Sequence, residues 1–431
     1  MPNSIEIQPV SQPLHASIRP PGSKSITNRA LVCAALATGT STLRGALDSQ
    51  DTQVMIRGLQ QLGIAIEVQD QGETLVVQGC QGLPPAKKAD IFVGNSGTTI
   101  RFLTALVTLG QGAFRLDGIA RMRERPIGDL AAALRQLGAQ VTCEGPGDCP
   151  PVAIVANRLL GGEAKIYGNI SSQFLSGLLL AAPCAQGAVT LRVEGTLVSV
   201  PYVQMTLEVV QAFGVTTRAT ADYSEIFIAA NSSYAACEYA IEPDASAASY
   251  FWAAAAVTGG EVTVSGLSRS SLQGDVAFVD CLEKMGCDVR FGEDYITVLG
   301  KPLTGISVDM NAISDTVQTL AVVALFAKGP TKIRNVSHIR HKETDRIAAL
   351  AVELRKLGAT VVETDSGIEI VPGETKAAQI ATYDDHRMAM SFALAGLVQP
   401  GVVIRNPDCT AKTYPKFFED LRRAANRNLP S

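Results

Sequence analysis

A chain of 431 residues has room for two or three ordinary domains and a large buried core. Its composition, 46% hydrophobic against 18% charged, excludes a disordered protein, and a net charge of −4 with no block of Lys or Arg excludes nucleic-acid binding through a basic face. Nine cysteines without a C-x-x-C, and His15, His338, His341 and His386 without metal-ligand spacing, predict reduced, mostly buried thiols and no structural metal.

The opening "MPNSIEIQPVSQ" lacks the basic-then-apolar design of a signal peptide, and no run approaches the ~18 apolar residues of a membrane span. A cytoplasmic protein without membrane contact is expected. Residues 5–20, "IEIQPVSQPLHASIRP", read as strand and are left over from the repeats described below; they are expected to complete the last of these. Next, "RPPGSKSITNRA" sets Lys24, Ser25 and Arg29 at the start of an apolar run. A G-x-x-x-x-G-K-[ST] phosphate loop would need glycines where Ile18 and Ser23 stand, so this is no P-loop. A lysine and several donors at a helix start still suit a phosphate or carboxylate.

From there the chain repeats itself, which organises everything else. A helix-like segment that closes on glycine and turns to alternation recurs as "LQQLGIAIEV", "LRQLGAQVTC", "VVQAFGVTTR", "LEKMGCDVRF" and "LRKLGATVVE". The glycines, Gly63, Gly138, Gly214, Gly286 and Gly358, are 75, 76, 72 and 72 residues apart. Glycine supplies the left-handed residue that closes a helix, after which the period shifts toward two. A second motif runs polar helix start, small-residue apolar helix, break, strand. It occurs six times and ends at Gly45, Gly118, Gly195, Gly266, Asn335 and Asn406. Helices such as "YFWAAAAV" and "TLAVVALFA" have no polar stripe, which places them inside. The sequence thus predicts an α+β protein of two domains, each with three similar units around internal helices. One domain spans residues 21–240, and the other joins 1–20 to 241–431.

Residues that break the repeat at equivalent places mark candidate chemistry. At the start of the first helix stand Lys24, Ser25, Arg29, Asn95, Gly97, Arg101, Ser171, Ser172, Gln173, Ser314, Asp315, Asp385, His386 and Arg387; before the second stand Arg123, Arg125, Ser199, Tyr202, Lys342, Glu343 and Arg346, with Lys412 in the last unit. Ser, Asn and Asp here also serve as N-caps, Lys342 with Arg346 also fits one solvated helix face, and "RMRERP" also fits a solvated loop. Counted together, nine cations fall at equivalent entrances of a slightly acidic chain. If those ends face one cleft, it suits a ligand with several negative charges, and the few acids there, Asp315, Glu343 and Asp385, suit proton transfer.

At these residues the sequence resembles the 5-enolpyruvylshikimate-3-phosphate synthase family. The matching stretches are "PGSKSITNRAL", "GNSGTTIRFL", "RMRERPIG", "SSQFLSGLLLAAP", "DASAASYF", "KETDR", "DDHRMAMSFALAG" and "DCTAKTYPKFF", in order from residue 21 to 418. The resemblance implies an inside-out α/β barrel architecture of six βαβαββ-type units in two hinged domains. It implies transfer of the enolpyruvyl group of phosphoenolpyruvate to the 5-hydroxyl of shikimate 3-phosphate, with no metal or organic cofactor, in a monomer inhibited by glyphosate. It assigns Ser25, Arg29, Ser171, Ser172, Gln173, Ser199, Tyr202 and Lys342 to shikimate 3-phosphate. Lys24, Gly97, Arg125, Arg346, Arg387 and Lys412 go to phosphoenolpyruvate, with Gln173 touching both and with Asn95 and His386 also substrate-binding. Asp315 and Glu343 become the proton-transfer pair, assisted by Lys24. Two positions depart from the family pattern: His338 stands where Asn is frequent at the shikimate site, and Phe102 follows Arg101 where many members have Pro. The UDP-N-acetylglucosamine enolpyruvyl transferases share architecture and donor but place a Cys in the loop that here reads "GIARMRERPIG". A non-enzymatic anion-binding scaffold would explain six repeats but not Asp315 and Glu343, carboxylates confined to the late ones.

Overall fold

The computed structural model describes residues 4–426. The recurring glycines close helices as their spacing predicts. Gly63, Gly138, Gly214, Gly286 and Gly358 have φ from +87° to +116°. They follow the helices Gln50–Gln61, Gly128–Gln136, Val200–Ala212, Phe278–Lys284 and Arg346–Lys356. A strand comes next each time: Ala65–Gln69, Gln140–Gly145, Thr217–Ala219, Asp288–Phe291 and Thr360–Thr364.

The other helix of each repeat is the small-residue one: Lys24–Leu36, Gly97–Val107, Ser172–Ala181, Ala245–Thr258, Val317–Val323 and His386–Gly396. Beyond their first residues these helices are almost wholly buried, as the missing polar stripe requires. The fifth departs from the pattern. Ile313 offers no side-chain cap, and the turns at both ends, Ser314–Thr316 and Ala324–Phe326, are 3-10. Tightening to i→i+3 bonds is the usual answer to uncapped terminal groups.

Each repeat has one sheet with a parallel strand pair, which an antiparallel hairpin extends in all but the sixth. In the second repeat Lys88–Phe92 runs parallel to Gln111–Asp117, which pairs antiparallel with Cys149–Asn157, and that with Gln140–Gly145. The third and fifth repeats follow the same order. The first has no leading strand of its own, because the chain reaches it directly at the Lys24 helix; Glu238–Ala240 fills the place, parallel to Thr40–Arg44.

The N-terminal stretch was expected to complete the last repeat, and only its beginning does. Ser4–Glu6 pairs antiparallel with Val402–Arg405 in the sixth sheet, whereas His15–Ile18 runs parallel to Glu261–Ser265 in the fourth. Pro9 and Pro13 separate the two pieces, and a residue without an N–H cannot continue a ladder.

Two compact units result. The central unit is Gly22–Ile241; the flanking unit takes the described residues up to Pro21 and from Glu242 onward. Within each, the three buried helices touch one another. All nine cysteines are free thiols. Among the described residues no helix is long and apolar enough to cross a membrane, and no group of three or more His, Cys, Asp or Glu could hold a metal.

Small residues decide how close the helices come. At Gly177 an added Cβ would stand 3.0 Å from the Arg101 carbonyl oxygen on the neighbouring helix. Gly177→Val should therefore wedge the Ser172 and Gly97 helices apart and cost about 3 kcal/mol, or roughly 5–10 °C in Tm for a unit of this size. An unchanged melting temperature would show that the two helices do not meet this closely.

Candidate active site

In the central unit, serines cap all three buried helices, Ser171 among them. Ser23, Ser96 and Ser171 accept hydrogen bonds from the backbone N–H of Ile26 (3.4 Å), Thr99 (3.4 Å) and Gln173 (3.3 Å). The caps take up one donor each and leave the residues just after them at the helix entrance. Lys24 places its Nζ 3.5 Å from Asp51, a buried carboxylate on the next helix that sequence reasoning did not single out.

Arg29 lies deeper than its sequence assignment implied. It is 2% exposed. Its guanidinium donates to Thr206 Oγ1 (2.7 Å), Ser176 Oγ (3.2 Å) and the carbonyls of Ser25 (2.9 Å) and Tyr202 (3.2 Å). It also lies over the Phe102 ring at 5.3 Å. Burial among neutral oxygens lowers its pKa to about 10. Arg29 thus braces Ser25 and Tyr202 from behind. Ser199, whose φ is +54°, begins the helix that carries Tyr202.

The three arginines of "RMRERP" separate cleanly. Arg121 pairs with Glu124, and Arg123, with a half-exposed side chain, pairs with Asp117 at 2.6 Å, so both are surface pairs. Arg125 alone is buried, and it donates to the carbonyl and the side-chain oxygen of Asn95, both at 3.2 Å. Its Nη2 fills the space that a Cβ added at Gly97 would take, with Arg101 Nη1 3.0 Å from that point. Arg101 in turn donates to Gln173 Oε1 (2.5 Å), and Gln173 donates to Thr98 Oγ1 (3.2 Å). Ser172 borders this cluster one residue before Gln173, and the bare backbone of Gly97 sits beneath two guanidinium groups.

In the flanking unit the same entrances carry acids as well as cations. Arg346, 1% exposed, donates to Asp385 (2.7 and 3.3 Å), Glu343 (2.9 Å) and Asp315 (3.2 Å). Burial works against its charge, but Asp385, Glu343 and Asp315 outweigh burial and raise its pKa. Arg387 reaches Asp315 at 2.7 Å, Lys342 approaches it at 3.9 Å, and Lys412 lies 3.4 Å from Glu343. Asp385 also caps its helix by accepting from Arg387 N at 2.9 Å, with His386 Nδ1 at 3.7 Å.

The solvated-face reading of Lys342 and Arg346 fails here. Lys342 has extended backbone, the helix begins at Arg346, and its cap is Asp345. The Glu343–Arg346 pair is buried, with side chains 8% and 2% exposed. His338 is buried too. Burial first, then Lys342, lowers its pKa to about 3, so the imidazole is neutral. Burial pushes the Cys409 thiol near Lys412 up to about 12, which leaves little thiolate for chemistry.

The arrangement suits anion chemistry with proton transfer. Carboxylates are groups that can take up and return a proton, and guanidinium and ammonium groups bind phosphates and carboxylates. Sequence reasoning missed Asp51, and also Asp275, which accepts from Ser246 at the entrance of the fourth repeat. Neither has a local signal, since each matters only through a partner far away in sequence.

The EPSP synthase family model (3-phosphoshikimate 1-carboxyvinyltransferase) matches residues 9–421. The chain is 50% identical over 417 residues to the 3-phosphoshikimate 1-carboxyvinyltransferase of Trichormus variabilis, covering 96% of this chain and 98% of that one. It is 48% identical over 420 residues to the enzyme of that name from a Shewanella species, covering 97% and 98%. Among solved structures it is similar to EPSP synthase from Acinetobacter baumannii, with a TM-score of 0.82 at 26% identity over 98% of each chain. The enolpyruvyl transferase NikO from Streptomyces tendae, with a TM-score of 0.78 at 20% identity over 98% of each chain, shares the fold. With these matches over nearly its whole length, the chain belongs to the EPSP synthase family.

Proposed function

We infer that the protein transfers the enolpyruvyl group of phosphoenolpyruvate to the 5-hydroxyl of shikimate 3-phosphate and releases phosphate. The observation that carries this reading is the pair Asp315 and Glu343, each set between cations around buried Arg346. The reaction needs such a pair. A bond forms from the 5-oxygen to C2 of phosphoenolpyruvate, the C2–O bond to phosphate breaks, and the methylene carbon gains a proton and gives one up again. One carboxylate removes the hydroxyl proton and the other serves the methylene carbon, with Lys24 assisting.

On this reading Ser25, Ser171, Ser172, Gln173, Ser199, Tyr202 and Lys342 take shikimate 3-phosphate, with Arg29 holding Ser25 and Tyr202 in place. Neutral His338 both donates and accepts a hydrogen bond, so it substitutes for an amide toward a sugar-like hydroxyl. Lys24, Gly97, Arg125, Arg346, Arg387 and Lys412 take phosphoenolpyruvate. Gln173 touches both substrates, Asn95 steadies Arg125, and His386 flanks Asp385. The reading takes the protein as a cytoplasmic monomer without metal or organic cofactor, inhibited by glyphosate in competition with phosphoenolpyruvate. Phosphate release that requires both substrates together is the direct test; release from phosphoenolpyruvate alone would overturn it.

Removing either carboxylate should be costly for turnover. Positioned acid–base groups contribute ~10²–10⁴ in rate, so Asp315→Ala and Glu343→Gln should lower kcat by about that much while both substrates still bind. Near-normal kcat in either variant would remove that residue from the proton-transfer pair.

Gly97→Ala tests the other unit. Its methyl would meet the Arg125 and Arg101 guanidinium groups, so both the KM for phosphoenolpyruvate and the glyphosate inhibition constant should rise. A displacement of this kind costs on the order of 1–3 kcal/mol, or roughly 5- to 150-fold. An unchanged KM for phosphoenolpyruvate would show that these guanidinium groups do not bind it.

A further inference from the structure

Two positions beyond the cap residue, all six repeats carry a polar side chain: Ser25, Thr98, Gln173, Ser246, Asp315 and Arg387. Several of them meet within their own unit. Gln173 bonds Thr98 in the central unit, and Arg387 bonds both Asp315 (2.7 Å) and Ser246 (3.4 Å) in the flanking one. Ser246, like Thr98, has no substrate assigned to it. Its hydroxyl donates to Asp275, a carboxylate 3% exposed in the turn Gly274–Ala277. That turn is tied to the helix start, with Ala245 N donating to Gln273 Oε1 at 3.0 Å and Gln273 Nε2 donating to the Pro243 carbonyl at 2.6 Å.

A hydroxyl has one proton and a guanidinium has only donors. While Asp275 takes the Ser246 proton, the lone pairs of the serine oxygen face Arg387. If the hydroxyl turned round, its O–H would face N–H groups, and Arg387 would lose an acceptor. We propose that Asp275, acting through the Ser246 hydroxyl, is a positioning residue that sets Arg387 for binding phosphoenolpyruvate; this rests on the assignment of Arg387 made above.

The electrostatics agree with that geometry. Burial first, then Asp315, raises the Asp275 pKa to about 6, with Asp244 adding to the rise and Ser246 and Arg387 opposing it. These groups face Asp275 from the Ala245 helix start, the Ser314 turn and the His386 helix, and Tyr250 accepts from Arg387 at 3.4 Å on its other side. Above about pH 6 the Asp275 anion accepts from Ser246. Below it, the carboxylic acid donates to the serine instead and the hydroxyl turns on Arg387. Phosphoenolpyruvate binding should therefore weaken as pH falls through about 6.

The experiment is steady-state kinetics on the full chain for Asp275→Asn, Ser246→Ala, the double variant and Arg387→Lys. Each of the first two should raise the KM for phosphoenolpyruvate about tenfold, with the KM for shikimate 3-phosphate within about twofold of wild type. The double variant should be no worse than either single one, because both break one link. The substrate phosphate itself titrates near pH 6, so the variant-to-wild-type ratio of KM isolates the protein's contribution; it should shrink toward one from about pH 7 to about pH 5. Additive effects, equal rises for both substrates, or a ratio constant with pH would overturn the proposal. Ser246→Ala, which removes a single oxygen, decides the matter if Asp275→Asn does not fold. Arg387→Lys separates the two levels. If it leaves the KM for phosphoenolpyruvate unchanged, the assignment of Arg387 falls; if it raises that KM while Asp275→Asn does not, the present proposal alone falls.

Discussion

One buried guanidinium organises the flanking unit. Arg346 is bonded to carboxylates from three separate segments, at Asp315, Glu343 and Asp385. A buried cation is tolerable only when its charge is matched and its donors are used, and removing one partner of such a cluster typically costs about 3–5 kcal/mol. The cluster therefore locks three chain segments together, and those segments carry the acids proposed above for proton transfer. Because the carboxylates outnumber Arg346, further cations are needed: Arg387 and Lys342 at Asp315, and Lys412 at Glu343. An anionic ligand meets cations that are already in place.

The central unit solves the same burial problem with dipoles. Arg29 is as deeply buried as Arg346, yet it bonds hydroxyls and carbonyls and rests on the Phe102 ring. The two arginines consequently shift in opposite directions, Arg29 down to about 10 and Arg346 upward. No acid is drawn toward Arg29 itself, although Asp51 meets Lys24 at the same entrance. Carboxylates crowd the buried arginine of one unit, and neutral oxygens surround that of the other. The difference follows from what stands opposite each buried arginine.

Much of the fold was legible because its signals are local. A closing glycine, a cap serine and an apolar helix without a polar stripe each act within a few residues, and the repeat multiplied them by five or six. What was illegible depends on distant pairing. Nothing near Glu238 says that it lies beside Thr42, and nothing near His15 distinguishes the fourth sheet from the sixth. The site divides in the same way. The entrances of the helices could be read, but whether an arginine there faces a ligand, a surface acid or the core depends on its partner. Arg123 is drawn to Asp117 six residues back, while Arg29 turns to Thr206 on the opposite side of the unit's sequence.

Gly97 shows how far a residue's neighbours, and not its own conformation, can dictate its identity. The glycines that end the outer helices are required by positive φ. Gly97 is the first residue of a regular helix with no positive φ, so alanine would suit its backbone and even favour the helix. What excludes a side chain is Arg125, whose guanidinium fills the space a Cβ would take, with Arg101 close behind. The glycine thus lets two cations lie against a helix N-terminus, where backbone N–H groups and the end of the helix dipole already favour negative charge. Three sources of positive potential then act at one point. The requirement for glycine comes from the arginines, so it arises wherever Arg125 is buried in this position, independent of the bulk of any ligand.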